Sequence, residues 1–337
     1  MSQTLTLKPT IAFGVVPTHI KFVGGLVPDA DGNFPREGDG RLSIVAEMER
    51  ICRQSPVRPT CTQIPFFAGA NEEDIEELIS GLKALDLAVH LIMMVGGANP
   101  MNPADEDAVV SQLVTSLTAA QKHGVVSVSS TSIEEWMKAG ETRRDGADFN
   151  AAVAQNVKVH VRAAKESGLT ESSIAAWHIE FLRPGEFKTF TDLNRAWTFV
   201  KAANKALGKN YFKLLIDAAH CGDSGLSIEE NQKLIADIAA ADHMGIYHAS
   251  SKTTRGCLST DDGWIGATLH AAAKTGKLET VFVELFHHED PALEGLRNMD
   301  SGHGIDTRDG RSYTQTTIDG LVETAHRLNN LQARGIL

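Results

Sequence analysis

The sequence predicts an α/β protein in which eight parallel strands close into a barrel, the (β/α)8 or TIM-barrel class. Eight short apolar segments alternate with eight segments of helical periodicity. Unbroken alternation of this kind is typical of parallel strands joined by crossover helices. The chain of 337 residues has the length that eight such repeats require. The third apolar segment, residues 88–95, carries almost no polar residue, as expected of a parallel strand covered on both faces.

The elements follow in order along the chain. We predict strands at residues 11–16, 60–67, 88–95, 125–130, 175–182, 212–220, 245–250 and 279–286. We predict helices at residues 41–55, 71–85, 105–124, 148–168, 191–207, 227–241, 264–275 and 317–333. Asn71 and Ser227 are expected N-caps, and Glu230 lies where a capping box with Ser227 requires it. Gly124 should end the third helix.

Residues 1–337 are expected to form one domain, with extended loops at the carboxyl-terminal face of the barrel at about 17–40, 131–147 and 287–313. A doubly wound open sheet is the alternative for alternating strands and helices. That fold normally carries a glycine-rich nucleotide loop after its first strand. The segment after residue 16 lacks the G-x-G-x-x-G spacing, and the chain has no G-x-x-x-x-G-K-[ST] loop, so the barrel is favoured.

The composition is that of an acidic globular protein and bears on its partners and location. The formal net charge is -11 and no run of Lys or Arg occurs, so we expect no nucleic-acid partner. No cationic-then-apolar leader and no run of about 18 apolar residues occurs, so a signal peptide and a membrane span are not expected. The cysteines lack zinc or disulfide spacing and fit a reducing cytoplasm: Cys52, Cys61, Cys221 and Cys257.

Four polar residues end four successive apolar segments in the second half of the chain: Glu180, Asp217, His248 and Glu284. They are 37, 31 and 36 residues apart, so each interval is about one strand and one helix. Functional residues of a (β/α)8 barrel lie at the carboxyl ends of the strands, so these side chains should converge at one mouth. Three buried carboxylates would repel one another, and a divalent cation removes that cost. The oxygen-rich donor set favours Mn²⁺, Mg²⁺ or Co²⁺.

The order and spacing of these residues resemble the xylose isomerase-like sugar isomerases and epimerases, over about residues 150–290. The resemblance is greatest to the ketose epimerases of the D-tagatose 3-epimerase kind. In that family a Glu, an Asp, a His and a Glu from the last four strands bind a divalent metal ion. The resemblance implies that Glu180, Asp217, His248 and Glu284 are metal ligands. It also implies that Glu180 and Glu284 are the catalytic acid and base.

Three further positions share the resemblance and are implied to contact the substrate. Glu186 lies six residues after the first ligand, where the family has a substrate-contacting Glu. His220 completes the family's D-x-x-H motif in the segment IDAAH. Arg255 lies seven residues after the histidine ligand, near the family's substrate-binding Arg.

The sequence therefore predicts a divalent-metal-dependent epimerase or isomerase acting on a ketose or a related polyhydroxy carbonyl compound. Its expected course is a metal-stabilised enediolate with a two-Glu acid/base pair. The alternative on the same barrel is a metal-dependent lyase, dehydratase or decarboxylase of an oxo-sugar or oxo-sugar acid. The expected partner is a small-molecule sugar or sugar acid, and exposed apolar helix faces suggest a homo-oligomer. The sequence leaves open which sugar is bound, whether it is phosphorylated, and which metal is used.

Two other functions of this fold are disfavoured. Abasic-site endonucleases share the fold, but they bind a zinc cluster with additional histidines from early strands. Here the second strand ends in Pro-Phe-Phe and the third contains only His90, so that cluster is not expected. A barrel that only binds a ligand is the non-enzymatic alternative, and intact acids at all four positions argue against it.

Overall fold

The computed structural model contains a closed barrel of eight parallel strands in chain order, which confirms the predicted fold class. The structure describes residues 4–17, 28–251, 263–285, 298 and 311–337. The strands are β1 (Ala12–Val16), β2 (Cys61–Phe66), β3 (Ala88–Met93), β4 (Val128–Ser130), β5 (Trp177–Ile179), β6 (Phe212–Asp217), β7 (Met244–Ala249) and β8 (Thr280–Glu284). Strand β1 pairs with both β2 and β8, which closes the ring.

Helices follow the strands and pack around the outside of the barrel. In the described part of the chain they are α1 (Ser43–Gln54), α2 (Glu72–Ala84), α3 (Glu106–Lys122), α4 (Gly146–Glu166), α5 (Leu193–Leu207), α6 (Ala218–Asp223), α7 (Ile228–Ala240), α8 (Trp264–Lys274) and α9 (Tyr313–Ala333). The predicted caps are confirmed. The Asn71 side chain accepts a hydrogen bond from the backbone N–H of Glu73, and Ser227 and Glu230 form a capping box. Gly124 follows α3 with a φ of +58°.

Several predicted strands, among them 125–130, are longer than the observed ones, and two of these differences affect the site. The segment 175–182 is a strand only over Trp177–Ile179, and the segment 212–220 is a strand only as far as Asp217. The side chain of Asp217 causes the second difference. Its Oδ1 accepts a hydrogen bond from the backbone N–H of His220 at 2.7 Å, so Asp217 is the N-cap of α6. A helix that the sequence analysis missed therefore begins directly behind the strand.

An apolar layer fills the barrel interior below the mouth. It consists of Val16, Cys61, Ile92, Leu215, Ile246 and Phe282. Side chains two positions apart on a strand lie on the same face. Asp217, His248 and Glu284 each follow one of these residues by two positions, so they also face inward, one layer nearer the carboxyl ends of the strands. A second and larger core lies between the strands and the helices.

The extended loops are described in part. Residues 28–40 of the first predicted loop and all of the second lie within the described ranges, whereas residues 287–297 and 299–310 of the third lie outside them. Arg255 and Cys257 also lie outside the described residues. Among the helices in the described ranges, none combines the length and the apolar character that crossing a membrane requires.

A chain of buried hydrogen bonds joins α4 to the outer face of the barrel. His160 Nδ1 donates to the carbonyl oxygen of Asn156 at 2.8 Å, and His160 Nε2 lies 2.9 Å from Ser132 Oγ. Ser132 Oγ lies 2.7 Å from Ser130 Oγ, which accepts from Trp177 Nε1 at 2.8 Å. The Nδ1–H tautomer of a neutral imidazole satisfies both ring nitrogens. Burial lowers the pKa of His160 to about 4.

This network predicts a loss of stability in mild acid. Between the unfolded pKa of about 6.5 and the folded pKa, the unfolded chain binds a proton that the folded chain excludes, so the free energy of unfolding falls as the pH falls. From about pH 7.5 to about pH 5 the contribution of His160 amounts to about 2 kcal/mol. Urea unfolding of the wild type should therefore lose about 2 kcal/mol more over this range than that of His160→Gln. Parallel pH profiles for the two proteins would contradict the assignment.

Candidate metal centre

The four residues singled out in the sequence meet at the carboxyl-terminal mouth of the barrel. Glu180 lies directly after β5, Asp217 ends β6, His248 lies in β7 and Glu284 ends β8. All four are buried, and one ligand atom from each lies within 4.8 Å of those of the other three. The predicted convergence is therefore observed, while the roles assigned to the residues stay predictions.

His248 Nδ1 faces all three carboxylates. It lies 3.2 Å from Glu284 Oε2, 3.8 Å from Glu180 Oε1 and 3.9 Å from Asp217 Oδ2. An octahedral ion with bonds of about 2.1 Å needs ligand atoms about 3 to 4 Å apart. His248 Nδ1 has that separation from one oxygen of each of the three carboxylates.

The chemistry of the donors also fits a divalent cation. Three carboxylates gathered away from water carry a desolvation cost and repel one another. A neutral imidazole offers hydrogen bonds but no compensating charge, whereas a divalent ion offsets both costs. Three oxygen donors and one nitrogen are the set that Mn²⁺, Mg²⁺ or Co²⁺ accepts, since these ions prefer carboxylate and water ligands to thiolates.

The two carboxylate oxygens of Asp217 make different contacts. Oδ1 caps α6 through the N–H of His220, so the carboxylate is held in one orientation, and Oδ2 is directed towards His248. The same short helix brings the His220 side chain over the site. His220 Nε2 lies 3.6 Å from Glu180 Oε1, so this predicted substrate-binding residue lies beside a predicted ligand.

Comparisons with known proteins agree with this architecture. No family model and no curated protein matches the chain. A putative sugar phosphate isomerase/epimerase from Anabaena variabilis matches with a TM-score of 0.72 at 15% identity, over 96% of this chain and 99% of that chain. D-allulose 3-epimerase from Methylomonas sp., solved in complex with D-allulose, matches with a TM-score of 0.68 at 15% identity over the same shares. The chain has the fold of the ketose 3-epimerases. D-psicose 3-epimerase from Clostridium cellulolyticum, solved with D-tagatose, matches with a TM-score of 0.65 at 14% identity, over 94% and 99% of the two chains.

On this epimerase fold, Glu186 lies buried in the loop that follows β5. Trp136 Nε1 donates to Glu186 Oε1 at 3.2 Å, and the backbone N–H of Met137 donates to the Glu186 carbonyl oxygen at 2.9 Å. Arg183 Nε lies 3.3 Å from Glu186 Oε2. Glu186 is therefore positioned by the long loop after β4, and its contact with a substrate stays a prediction. The third predicted substrate-binding residue, Arg255, lies outside the described residues.

Glu134 joins two loops of the mouth into one unit, and the sequence analysis missed it. Its carboxylate accepts hydrogen bonds from the backbone N–H groups of Lys188, Thr189 and Phe190, at 2.7 to 3.1 Å. Burial raises the pKa of Glu134, and the three backbone donors act in the opposite direction. The loop after β4 and the loop after β5 are thereby held together, with Trp136 and Glu186 between them. Nothing in the sequence distinguishes Glu134 from the adjacent Glu135.

Gln63 is the second residue that sequence reasoning missed. It lies in β2, fully buried, and its Oε1 is 2.7 Å from His248 Nε2. A glutamine inside a buried parallel strand is a signal in the sequence, because a buried amide needs hydrogen-bond partners. Nothing in the sequence indicates that the partner belongs to β7.

Proposed function

We propose that the protein is a divalent-metal-dependent epimerase or isomerase of a ketose or a related polyhydroxy carbonyl compound. The observation that carries the proposal is the buried convergence of three carboxylates and one imidazole at the mouth of a barrel with the ketose 3-epimerase fold. We assign Glu180, Asp217, His248 and Glu284 as the ligands, and Mn²⁺, Mg²⁺ or Co²⁺ as the ion.

The metal ion supplies the activation of the substrate. When bound, it polarises a carbonyl oxygen and the neighbouring hydroxyl and so acidifies the adjacent C–H bond. The chain's own residues then move the protons. Glu180 follows β5 and Glu284 ends β8, three strands further around the ring, so the two carboxylates reach the site from different sides. One carboxylate takes the proton from carbon and becomes a carboxylic acid, and the other, already protonated, delivers its proton to the opposite face.

The stereochemical outcome depends on which faces the two acids serve. Proton removal on one face and delivery on the other inverts the carbon and gives epimerisation. If a single carboxylate serves one face and returns the proton to the neighbouring carbon, the same residues carry out an aldose–ketose isomerisation. His220, Glu186 and Arg255 are proposed to bind hydroxyls or polarise the carbonyl. The closeness of His220 to Glu180 supports its part in this proposal.

Further parts of the proposal concern location and assembly. We propose a cytoplasmic enzyme whose partner is a small-molecule sugar or sugar acid rather than nucleic acid. The net charge of -11 and the free cysteines among the described residues, Cys52, Cys61 and Cys221, support this. We also propose a homo-oligomer, which light scattering of the purified protein would test.

Isotope exchange tests the proposed reaction. The protein is incubated with Mn²⁺ and D-allulose, D-tagatose or another ketose in deuterated water, and the products are followed by NMR. We expect deuterium at one carbinol carbon together with the epimer, and no reaction after treatment with a chelator. Fragmentation or release of CO₂ would instead identify the lyase or decarboxylase alternative. Failure of the wild type to bind any of the three ions would contradict the metal centre itself.

A further inference from the structure

We propose that Gln63 is a positioning residue of the metal centre: it holds His248 in the tautomer and orientation that present Nδ1 to the ion. The proposal rests on the metal site of the proposed function and adds a residue from the first half of the barrel to it. Gln63 lies in β2, which contributes none of the four ligands, and is completely buried. Its Oε1 lies 2.7 Å from His248 Nε2.

The direction of the Gln63 amide follows from its second hydrogen bond. Gln63 Nε2 donates to Ser129 Oγ at 2.7 Å, and Ser129 Oγ donates its own hydrogen to the carbonyl oxygen of Leu91 at 3.4 Å. With its hydroxyl hydrogen on the Leu91 carbonyl, Ser129 Oγ accepts from the Gln63 amide. The NH₂ group therefore faces Ser129, and the amide oxygen faces His248.

An amide oxygen at this position selects one tautomer of the imidazole. His248 Nε2 must carry the hydrogen and donate it to Gln63 Oε1, so Nδ1 keeps its lone pair. In the other tautomer, Nδ1–H would donate to Glu284 Oε2 at 3.2 Å and could not bind a metal, while Nε2 would set a lone pair against the amide oxygen. Gln63 thus opposes the tautomer that blocks the site.

The ring is also fixed in orientation. Gln63 holds it at Nε2, and Phe282 lies at a ring-centroid distance of 6.1 Å with an interplanar angle of 88°. With these two contacts the imidazole points Nδ1 at the three carboxylates. Outer hydrogen-bond partners of histidine ligands commonly alter metal affinity by about 10- to 100-fold. We expect an effect of this size here.

Metal affinity of the purified full chain tests the proposal. Gln63→Leu removes the acceptor with little change in volume, and calorimetric titration with Mn²⁺ should give a dissociation constant about 10- to 100-fold weaker than that of the wild type. Gln63→Glu keeps an oxygen acceptor facing Nε2 and should bind Mn²⁺ within a few-fold of the wild type. The d–d absorption spectrum of the Co²⁺-loaded Gln63→Leu protein should also change, since the imidazole is no longer held as a ligand.

Thr62→Val is the matched control. It removes a buried hydrogen bond on the same strand, from Thr62 Oγ1 to the carbonyl oxygen of Val15 at 3.1 Å, without touching His248. We expect it to lower stability while leaving the Mn²⁺ affinity unchanged. Should Thr62→Val weaken Mn²⁺ binding as much as Gln63→Leu, the effect of Gln63 would be structural only and the proposal would be overturned.

The remaining outcomes separate this proposal from the proposed function. If the wild type binds Mn²⁺ and Gln63→Leu binds it with the same affinity, only the proposed role of Gln63 is overturned. Absence of divalent-ion binding in the wild type overturns the metal site and this proposal with it. Should Gln63→Leu fail to fold, Ser129→Ala takes its place, because it removes the group that directs the amide. A several-fold loss of Mn²⁺ affinity in Ser129→Ala supports the proposal, and an unchanged affinity overturns it.

Discussion

Replacement of Glu180 or Glu284 by glutamine is expected to lower kcat for ketose epimerisation by about a thousandfold or more. Glutamine keeps the shape of the side chain and can bind a metal through its amide oxygen, but it cannot accept or deliver a proton at carbon. Each substitution also removes one negative charge from a buried centre in which His248 Nδ1 lies within 3.8 Å of both carboxylates. Initial rates of epimer formation at saturating Mn²⁺ measure the effect.

Deuterium wash-in makes this test sharper. A given ketose presents its C–H bond to only one of the two carboxylates, so each variant keeps the base for one epimer and lacks it for the other. Supplied with the epimer whose C–H bond faces the remaining carboxylate, each variant should slowly incorporate deuterium into that ketose without forming the other epimer. Glu279→Gln, at the opposite end of β8, changes the charge by the same amount and should keep the wild-type rate. Wild-type epimerisation by either Glu180→Gln or Glu284→Gln would remove that residue from the acid/base pair.

The second large effect is expected from Gly14→Ala, which should destabilise the barrel by at least about 3 kcal/mol. Gly14 is paired with Cys61 across the β1–β2 seam. A Cβ at residue 14 would overlap the Cys61 carbonyl oxygen and lie 2.6 Å from the Cys61 carbonyl carbon, and both are backbone atoms that cannot rotate away. The two strands would have to separate. Only two residue pairs are registered between β1 and β2, against five between β1 and β8. Few backbone contacts therefore hold β1 to β2 once the two strands are pushed apart at residue 14.

Urea unfolding followed by tryptophan fluorescence measures the destabilisation. Gly38→Ala is the control, because Gly38 is exposed, has no positive φ, and has open space where a Cβ would lie. That variant should stay within about 0.5 kcal/mol of the wild type. Failure of Gly14→Ala to give folded protein agrees with the expectation, whereas equal unfolding midpoints for the two variants would contradict it.

The convergence of the four candidate ligands was predictable because a barrel strand has a simple geometry. Asp217, His248 and Glu284 each interrupt an apolar segment two positions after an inward-facing residue, at intervals of one strand and one helix. Strand periodicity then determines the face, and the closed ring determines the meeting point. Glu180 could be placed by the same rule, although β5 itself is shorter than predicted.

The boundaries behind the strands were less predictable, because a single side chain decides them. Apolarity alone extends β6 to residue 220, but the bond from the His220 N–H to Asp217 Oδ1 starts α6 at Ala218. This early start of α6 places the His220 side chain beside Glu180. It also leaves Asp217 Oδ2 facing His248 while Oδ1 caps the helix. A spacing of three residues is compatible with a strand or a helix, so the sequence favoured neither.

By itself, the sequence determined the fold class, the strand order and the residue types of the centre, because each depends on periodicity and spacing within one repeat. Tertiary structure decided which groups support those residues. Gln63 contacts His248, which is 185 positions away in the sequence, and Trp136 contacts Glu186, which is 50 positions away. No local sequence pattern predicts contacts at such separations. The first contact exists because closing the ring brings inward-facing side chains of β2 and β7 together in the barrel interior, and the second because the loop after β4 packs against the loop after β5. The hydrogen bond between Gln63 and His248, and with it the tautomer that we propose for His248, depends on the closed barrel rather than on any one segment.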